Sequence, residues 1–401
     1  MEDYSDADFL DSDYTSTASF SIKKDEILDG ESSKYQIEKF LGKGAFGKVA
    51  QCIKLDTNEK VAVKIVEDKN DGILEMLMSQ EIRKLDPDKN NLVRLIERFQ
   101  HRGHICLALE MLDISIRDYM LDRKFKPLPI SEIQTITRQV LVALNSLKSI
   151  GVVHTDISIN NIMLVNHQLQ PFKVKLIDFG LARPVWLLKE LRGEIMQPVL
   201  YRAPEVILGL ELNEAIDMWS FGCALTVMYL GNRKFPKTEL EVISIIVKTQ
   251  GQPSDHLLDS GIFSKVFFQK INDSSGSSWK LIRHAVREAA NEDRFNINHP
   301  ELKHIFECED TQAFLWLLKQ MLNVDPEKRI NPSEALKSHF ITKQNICRKI
   351  NPIEKLPLLY FLKMLWQLEE LSAKFKSTVK SREVGPQIDD SCSGDKKTLL
   401  C

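Results

Sequence analysis

The stretch Gly42-Lys-Gly-Ala-Phe-Gly-Lys-Val49 carries three glycines at a spacing that lets backbone N–H groups come close to phosphate oxygens and tolerates positive φ. Such a run can open a helix, as in a dinucleotide fingerprint, form a plain turn, or make a hairpin. The residues that follow favour the hairpin. Lys48-Val-Ala-Gln-Cys-Ile53 alternates apolar and polar positions like a returning strand, whereas a dinucleotide fold needs a helix to start at the third glycine. The stretch therefore predicts a β-rich unit whose glycine loop covers an anionic ligand.

Working outward, Val61-Ala-Val-Lys64-Ile-Val66 is a strand fit for burial with one ammonium inside it. A buried cation must find an anion. The helix expected over 73–85 offers a stripe of Leu74, Leu77, Met78, Glu81 and Leu85, which makes Glu81 the expected partner. The competing reading is two long side chains snorkelling at a surface. Further on stand His154-Thr-Asp156-Ile-Ser-Ile-Asn-Asn161, Asp178-Phe-Gly180 and Ala203-Pro-Glu205. Asp and Asn favour turns, so each piece alone could be structural. In this order the pieces supply what phosphoryl transfer from ATP requires: a base (Asp156), oxygen ligands for Mg²⁺ (Asn161 and Asp178), and a lysine for the phosphates. Asp217 is expected to cap the backbone of the 154–161 loop, and Glu205 to form a buried pair with Arg329.

The 401 residues, 43% hydrophobic and 27% charged, suit a two-lobed globular unit with tails. Residues 1–33 hold ten acidic and two basic residues, a net of −8, which leaves +6 for the remainder of a chain whose total is −2. That acidic stretch lacks periodicity and is expected to be disordered. Seven scattered cysteines without a CxxC pair argue for a reducing compartment and against a structural zinc. The N-terminus has no signal-peptide pattern, and no apolar run reaches the roughly 18–20 residues of a membrane span. A soluble intracellular protein is expected, in the nucleus or the cytoplasm, with neither membrane nor direct nucleic-acid binding, and monomeric. Strands are expected over 42–53, 60–66, 92–98 and 104–110. Helices are expected from Ser131 (with Gln134 as a capping box), over 215–230, 311–322 and 332–338, and over an apolar tail segment, 358–371.

The chain resembles the eukaryotic protein kinases over about residues 35–342, and within them the homeodomain-interacting protein kinases. The likeness rests on Phe99-Gln-His101 with Cys106-Leu-Ala-Leu-Glu-Met-Leu112, Tyr201-Arg-Ala-Pro-Glu-Val-Ile-Leu-Gly209, Glu214-Ala-Ile-Asp-Met-Trp-Ser220 and Gln250-Gly-Gln-Pro-Ser-Asp-His-Leu-Leu-Asp-Ser-Gly261. The resemblance implies an α+β, bilobal fold, with a β-rich N-lobe over 34–112, a mainly helical C-lobe over 113–342 and a C-terminal tail over 343–401. It implies Ser/Thr phosphorylation, often before proline, of transcriptional regulators, with ATP and Mg²⁺. The implied nucleotide site comprises Leu41, Gly42, Lys43, Gly44, Ala45, Phe46, Gly47, Val49, Ala62, Lys64, Leu109, Glu110, Leu112, Met163 and Ile177, with Glu110 to Leu112 presenting backbone groups to adenine. Asp156, Lys64, Glu81 and Asn161 are the implied catalytic set.

Two departures from that family stand out. Where the family has a lysine two residues after the base, this chain has Ser158, and the slot that holds an arginine in tyrosine kinases is Asn160. Losing one preorganised electrostatic contact of this kind costs about 10²–10³-fold in rate. Residues 181–200 contain no Ser, Thr or Tyr, the family's tyrosine position being Ile195 and its Ser-Arg pair Pro198-Val199. Phosphorylation cannot switch such a loop in the family's manner. Trp186, Leu187, Leu188 and Leu191 are expected to hold it by apolar packing. A slow kinase is one reading of these departures, and a nucleotide-binding pseudokinase scaffold is the other.

Overall fold

The computed structural model describes residues 22–44, 47–231, 236, 238–273, 276–282 and 309–343. The apolar tail segment 358–371 and residues 1–21 lie outside them. The chain divides into two compact units, one comprising Met1–Met76 with Leu95–Met111, the other Leu77–Arg94 with Leu112–Cys401.

The first unit is a six-stranded antiparallel sheet in the order β1-β2-β3-β4-β6-β5. Its strands are β1 (Ile27–Asp29), β2 (Lys34–Gly44), β3 (Gly47–Lys54), β4 (Glu59–Val66), β5 (Leu95–His101) and β6 (His104–Glu110). Alternation sorts the side chains by face. One face carries the core of Ala50, Cys52, Val61, Val63, Ile65, Cys106 and Ala108, joined by Leu28, Ile37 and a stacked Tyr35–Phe99 pair. The β2–β3 turn is the glycine hairpin. Gly47 has φ +152, and a Cβ there would lie 2.0 Å from the Ile65 carbonyl oxygen, so no other residue fits.

Two expectations need correction here. The acidic stretch expected to be featureless through residue 33 contains β1, which pairs with β2. Leu28 is fully buried, and the Asp29 N–H donates to His101 Nδ1 at 3.2 Å. Few apolar residues sufficed because an existing sheet edge satisfied their backbone. The strand expected over 92–98 runs instead over Leu95–His101.

Helix α1 (Lys69–Ile82) begins in the first unit and ends in the second. The second unit is mainly helical. Its longest helix, α3 (Ile130–Ser149), buries Ile133, Ile136, Val140, Leu144 and Leu147. The capping box expected at Ser131 is absent. Pro129 holds the N-cap position without a side-chain bond, and the Gln134 amide is drawn away to the Phe340 carbonyl. Helix α6 (Ala215–Leu230) is buried over nearly its whole length, which explains why its sequence shows almost no polar face. Other elements that place functional residues are α2 (Ile116–Asp122), strands β7 (Val152–Val153), β8 (Ile162–Asn166), β9 (Gln170–Leu176) and β10 (Arg183–Pro184), and helices α4 (Val185–Leu188), α5 (Pro204–Leu208), α7 (Glu239–Thr249) and α8 (Asp255–Ser260). Phe268–Asp273 and Gly276–Leu281 form a further antiparallel pair.

Candidate active site

In the first unit, strand register brings the expected nucleotide residues onto one face. Val49, Lys64 and Leu107 are cross-strand partners, as are Ala62 and Leu109. Side chains directly opposite one another share a face. This is the face opposite the apolar core, so β4 buries Val61, Val63 and Ile65 on one side and presents Ala62 and Lys64 on the other. Gly42 pairs with Val49 across the hairpin, and Leu41 and Lys43 beside it are exposed. Ala45 and Phe46 lie outside the described residues, and Gly44 is placed by its backbone.

The Lys64 ammonium donates to Glu75 Oε1 at 2.7 Å, with the two side chains 9% and 5% exposed. Glu81 is not the partner. It pairs with Lys84 in an exposed i,i+3 contact. The reason is helical phase. Six residues at about 100° each place Glu81 about 240° around the helix from Glu75, so the two cannot face the same neighbour. The inward stripe is Glu75, Met78 and Ile82, while Leu77, assigned inward by the sequence pattern, is 46% exposed. Met78 belongs to both candidate stripes, which is why the pattern alone was ambiguous. Gly72 would have helped to phase the helix, since a Cβ there would approach Ile105 of β6 to 2.9 Å.

In the second unit the loop 154–161 is held from below by Asp217 on α6. Its carboxylate accepts the N–H of His154 at 2.7 Å and of Thr155 at 2.9 Å, as expected of a loop cap. Burial pushes the Asp217 carboxyl up to about 7, although the two backbone donors pull the other way. The Asp156 N–H donates to His154 Nδ1 at 3.2 Å, so the ring proton sits on Nε2 and points at the Ile177 carbonyl at 3.0 Å. That histidine thereby ties the loop to the residue before Asp178.

The Asn161 amide nitrogen donates to both the Asp156 carbonyl (2.8 Å) and the Asp156 carboxylate (2.7 Å). This orients the amide, leaving its Oδ1 as the oxygen free of the nitrogen's bonds. The Ile177 N–H donates to the Asn161 carbonyl at 2.9 Å, which brings Asp178 beside Asn161 in the chain ladder. Asp178 itself has φ +63, a conformation a non-glycine side chain rarely adopts, and its carboxylate accepts the Gly180 N–H at 3.3 Å. An amide oxygen and a carboxylate are hard donors suited to Mg²⁺, which retains several waters and needs few protein ligands. Among the described residues no group of three or more His, Cys, Asp or Glu could hold a metal ion. Met163 pairs with Lys175 in the β8–β9 ladder, with Ile177 just past its end. Leu112 is buried at the start of this unit, and Glu110 is half-buried at the end of β6 in the other.

Ser158 is 1% exposed, and its hydroxyl accepts the Asn160 N–H at 3.3 Å. The loop has closed around a small side chain where a cation would otherwise project, and residues 154–161 contain no Lys or Arg. A third departure escaped sequence reading. The middle position of the His-Arg-Asp catalytic-loop pattern is Thr155, with φ +64 and its hydroxyl donating to the Leu181 carbonyl. The signal was in the quoted motif itself. Elsewhere Glu205 and Arg329 form the expected buried bidentate pair, with Oε2 at 2.9 Å from Nη2 and side chains 1% and 0% exposed.

The protein kinase domain family matches residues 35–341. The chain is 37% identical over 359 residues to homeodomain-interacting protein kinase 2 of Mesocricetus auratus, covering 82% of this chain and 30% of that protein. It is 36% identical to homeodomain-interacting protein kinase 1 of Caenorhabditis elegans (81% and 42%) and 31% identical to homeodomain-interacting protein kinase 4 of Homo sapiens (80% and 57%). The chain thus spans less than two thirds of each of these relatives. With the matched domain covering most of its length, this chain belongs to the protein kinase family, and it is similar to the homeodomain-interacting protein kinases.

Proposed function

We propose that the chain is a protein serine/threonine kinase that transfers the ATP γ-phosphoryl group to protein hydroxyls, slowly and without needing its activation segment phosphorylated. The observation that carries this reading is the buried Lys64–Glu75 pair. A buried ion pair is a poor way to gain stability compared with apolar packing, so its presence on the non-core face of the sheet favours a functional use. Lys64, oriented by Glu75, would hold the α- and β-phosphates. Asn161 Oδ1 and the Asp178 carboxylate would hold Mg²⁺, which when bound neutralises phosphate charge. Asp156 would accept the proton of the substrate hydroxyl as its oxygen bonds to the γ-phosphorus and the bond to ADP breaks. Its hydrogen bond from Asn161 fixes the carboxylate for that role.

The relatives are homeodomain-interacting by name, and we extend to this chain protein substrates among transcriptional regulators, met in the nucleus or cytoplasm. Cys52, Cys106 and Cys223 are free and buried, in keeping with a reducing compartment. No helix among the described residues is long and apolar enough to cross a membrane. The pseudokinase reading draws on one observation, the burial of Ser158 where a cation would serve. Radiolabelled phosphate transfer to a general protein acceptor separates the two. Wild type is expected to exceed Asp156→Asn by at least about 100-fold, and equal signals would eliminate the kinase.

A further inference from the structure

Activation segments are commonly ordered when an arginine pairs with a newly added phosphate. This chain has neither half of that pair, since residues 181–200 carry no hydroxyl and the position before Asp156 is Thr155. Yet the segment is anchored at both ends. At its start Thr155 bonds the Leu181 carbonyl, β10 pairs with β7, and the Val185 N–H donates to the Gly151 carbonyl at 2.8 Å. At its end the buried Gln197 side chain bonds Ile216, Ser220 and Ala203, and Arg202 reaches the Gln197 carbonyl and Glu239.

Between these anchors apolar packing is thinner than the sequence suggested. Leu188 is fully buried, but Trp186 is 68% exposed and Ile195 81%. The ion pair Lys189–Glu211 lies in solvent, with both side chains 68% exposed, and contributes little. Arg192 is itself exposed, but its guanidinium bonds backbone carbonyls rather than another mobile side chain. Its Nε donates to the Gly209 carbonyl at 3.0 Å and its Nη2 to the Ser260 carbonyl. Gly209 is the left-handed C-cap of α5, and Ser260 is the last residue of α8. Helix C-termini present carbonyls without intrahelical partners and carry negative polarisation, so a guanidinium bridging two of them is well matched in charge and shape. The neighbouring Gly193, at φ +87, brings the segment against Ile262 and Phe263.

We infer that Arg192 is a positioning residue that holds the middle of the activation segment permanently on the carbonyl ends of α5 and α8, taking the place of a phosphate-dependent clamp. The inference rests on the kinase reading for its consequence, an always-assembled protein-substrate surface, but the clamp itself is testable without activity. A lysine at 192 keeps the charge but replaces the planar fork with one compact ammonium that matches two separated carbonyls less well, so Arg192→Lys should fall between wild type and Arg192→Ala.

The test measures amide hydrogen exchange over 186–196 in wild type, Arg192→Ala and Arg192→Lys, alongside peptide KM, kcat and ATP affinity. Arg192→Ala is expected to speed exchange in that segment by about tenfold while leaving 152–161 unchanged. It should raise peptide KM by about three- to tenfold with kcat and ATP affinity held, and Arg192→Lys should be intermediate. Phosphatase treatment of wild type should alter none of these. Unchanged exchange in Arg192→Ala, loosening spread evenly over the unit, or loosening of wild type by phosphatase would each overturn the inference. Should wild type transfer no phosphate, the kinase reading alone fails, and the exchange comparison still decides whether Arg192 holds the segment. If Arg192→Ala does not fold, Arg192→Lys carries the same comparison.

Discussion

Replacing Glu75 and Glu81 separately by glutamine tests the phase of α1 and the machinery that depends on it. Both changes keep shape and remove one negative charge, so any difference between them comes from where each charge sits. Glu75 lies 2.7 Å from a lysine that is 9% exposed, where water cannot take over the lost interaction. A hydrogen bond to a charged group contributes about 1.5–3 kcal/mol, and glutamine retains an oxygen acceptor. Glu75→Gln should therefore cost about 1.5–3 kcal/mol of stability, below the 3–5 kcal/mol or so of removing a buried partner outright. Glu81 meets Lys84 with side chains 42% and 61% exposed, and Glu81→Gln should cost under about 1 kcal/mol. Because Lys64 would no longer be oriented, kcat/KM for phosphate transfer should fall about 10- to 100-fold in Glu75→Gln and stay within about threefold in Glu81→Gln. Urea unfolding with steady-state phosphate transfer gives both quantities. A control separates fold from function: Lys64→Met with Glu75→Leu should recover stability, since apolar pairs replace buried ion pairs at little cost, but not activity. Equal effects of Glu75→Gln and Glu81→Gln, or a larger effect at Glu81, would refute the assignment of the pair and of the helix face with it.

Ser158→Lys restores a cation to the 154–161 loop and should raise kcat by about tenfold or more with ATP affinity nearly unchanged, read by initial rates and nucleotide titration; flat turnover in a folded variant would show that the missing charge is not what slows the reaction. Asp217 gives a pH signature. Its folded value of about 7 lies above the ordinary 3.8, so the folded state holds this proton more tightly, and the stability it contributes is full below about pH 4 and lost as pH rises towards 7. Asp217→Asn should flatten the fall in stability between pH 4 and 7, and at neutral pH should cost about 1–3 kcal/mol because one amide oxygen cannot accept both loop N–H groups; an unaltered pH slope in urea unfolding would discount the titration.

How legible the site was depended on the kind of information each residue carries. Strand register could be read because a period of two leaves a single choice of face: once Val61, Val63 and Ile65 are inward, Ala62 and Lys64 must share the other side. Asp217 and Glu205–Arg329 were legible because a charge inside an apolar run demands a partner, and the sequence offered few. Glu75 was not, because α1 carries two glutamates and two overlapping apolar stripes that meet at Met78. The Ser131 capping box failed for a related reason, since Gln134 found a better acceptor in Phe340, 206 residues away.

The chemistry of this protein is written locally: glycines for a tight hairpin, a lysine within a buried strand, an aspartate and asparagine five residues apart, an activation segment without hydroxyls. Those choices determine the family and mark the candidate site residues, because each depends on residue type and short spacing. Which glutamate meets Lys64, how tightly the loop closes on Ser158, and where Arg192 anchors the segment were decided only in three dimensions. Each of those depends on helical phase or on carbonyls from chain ends far apart in sequence, and no local pattern encodes where such groups will meet.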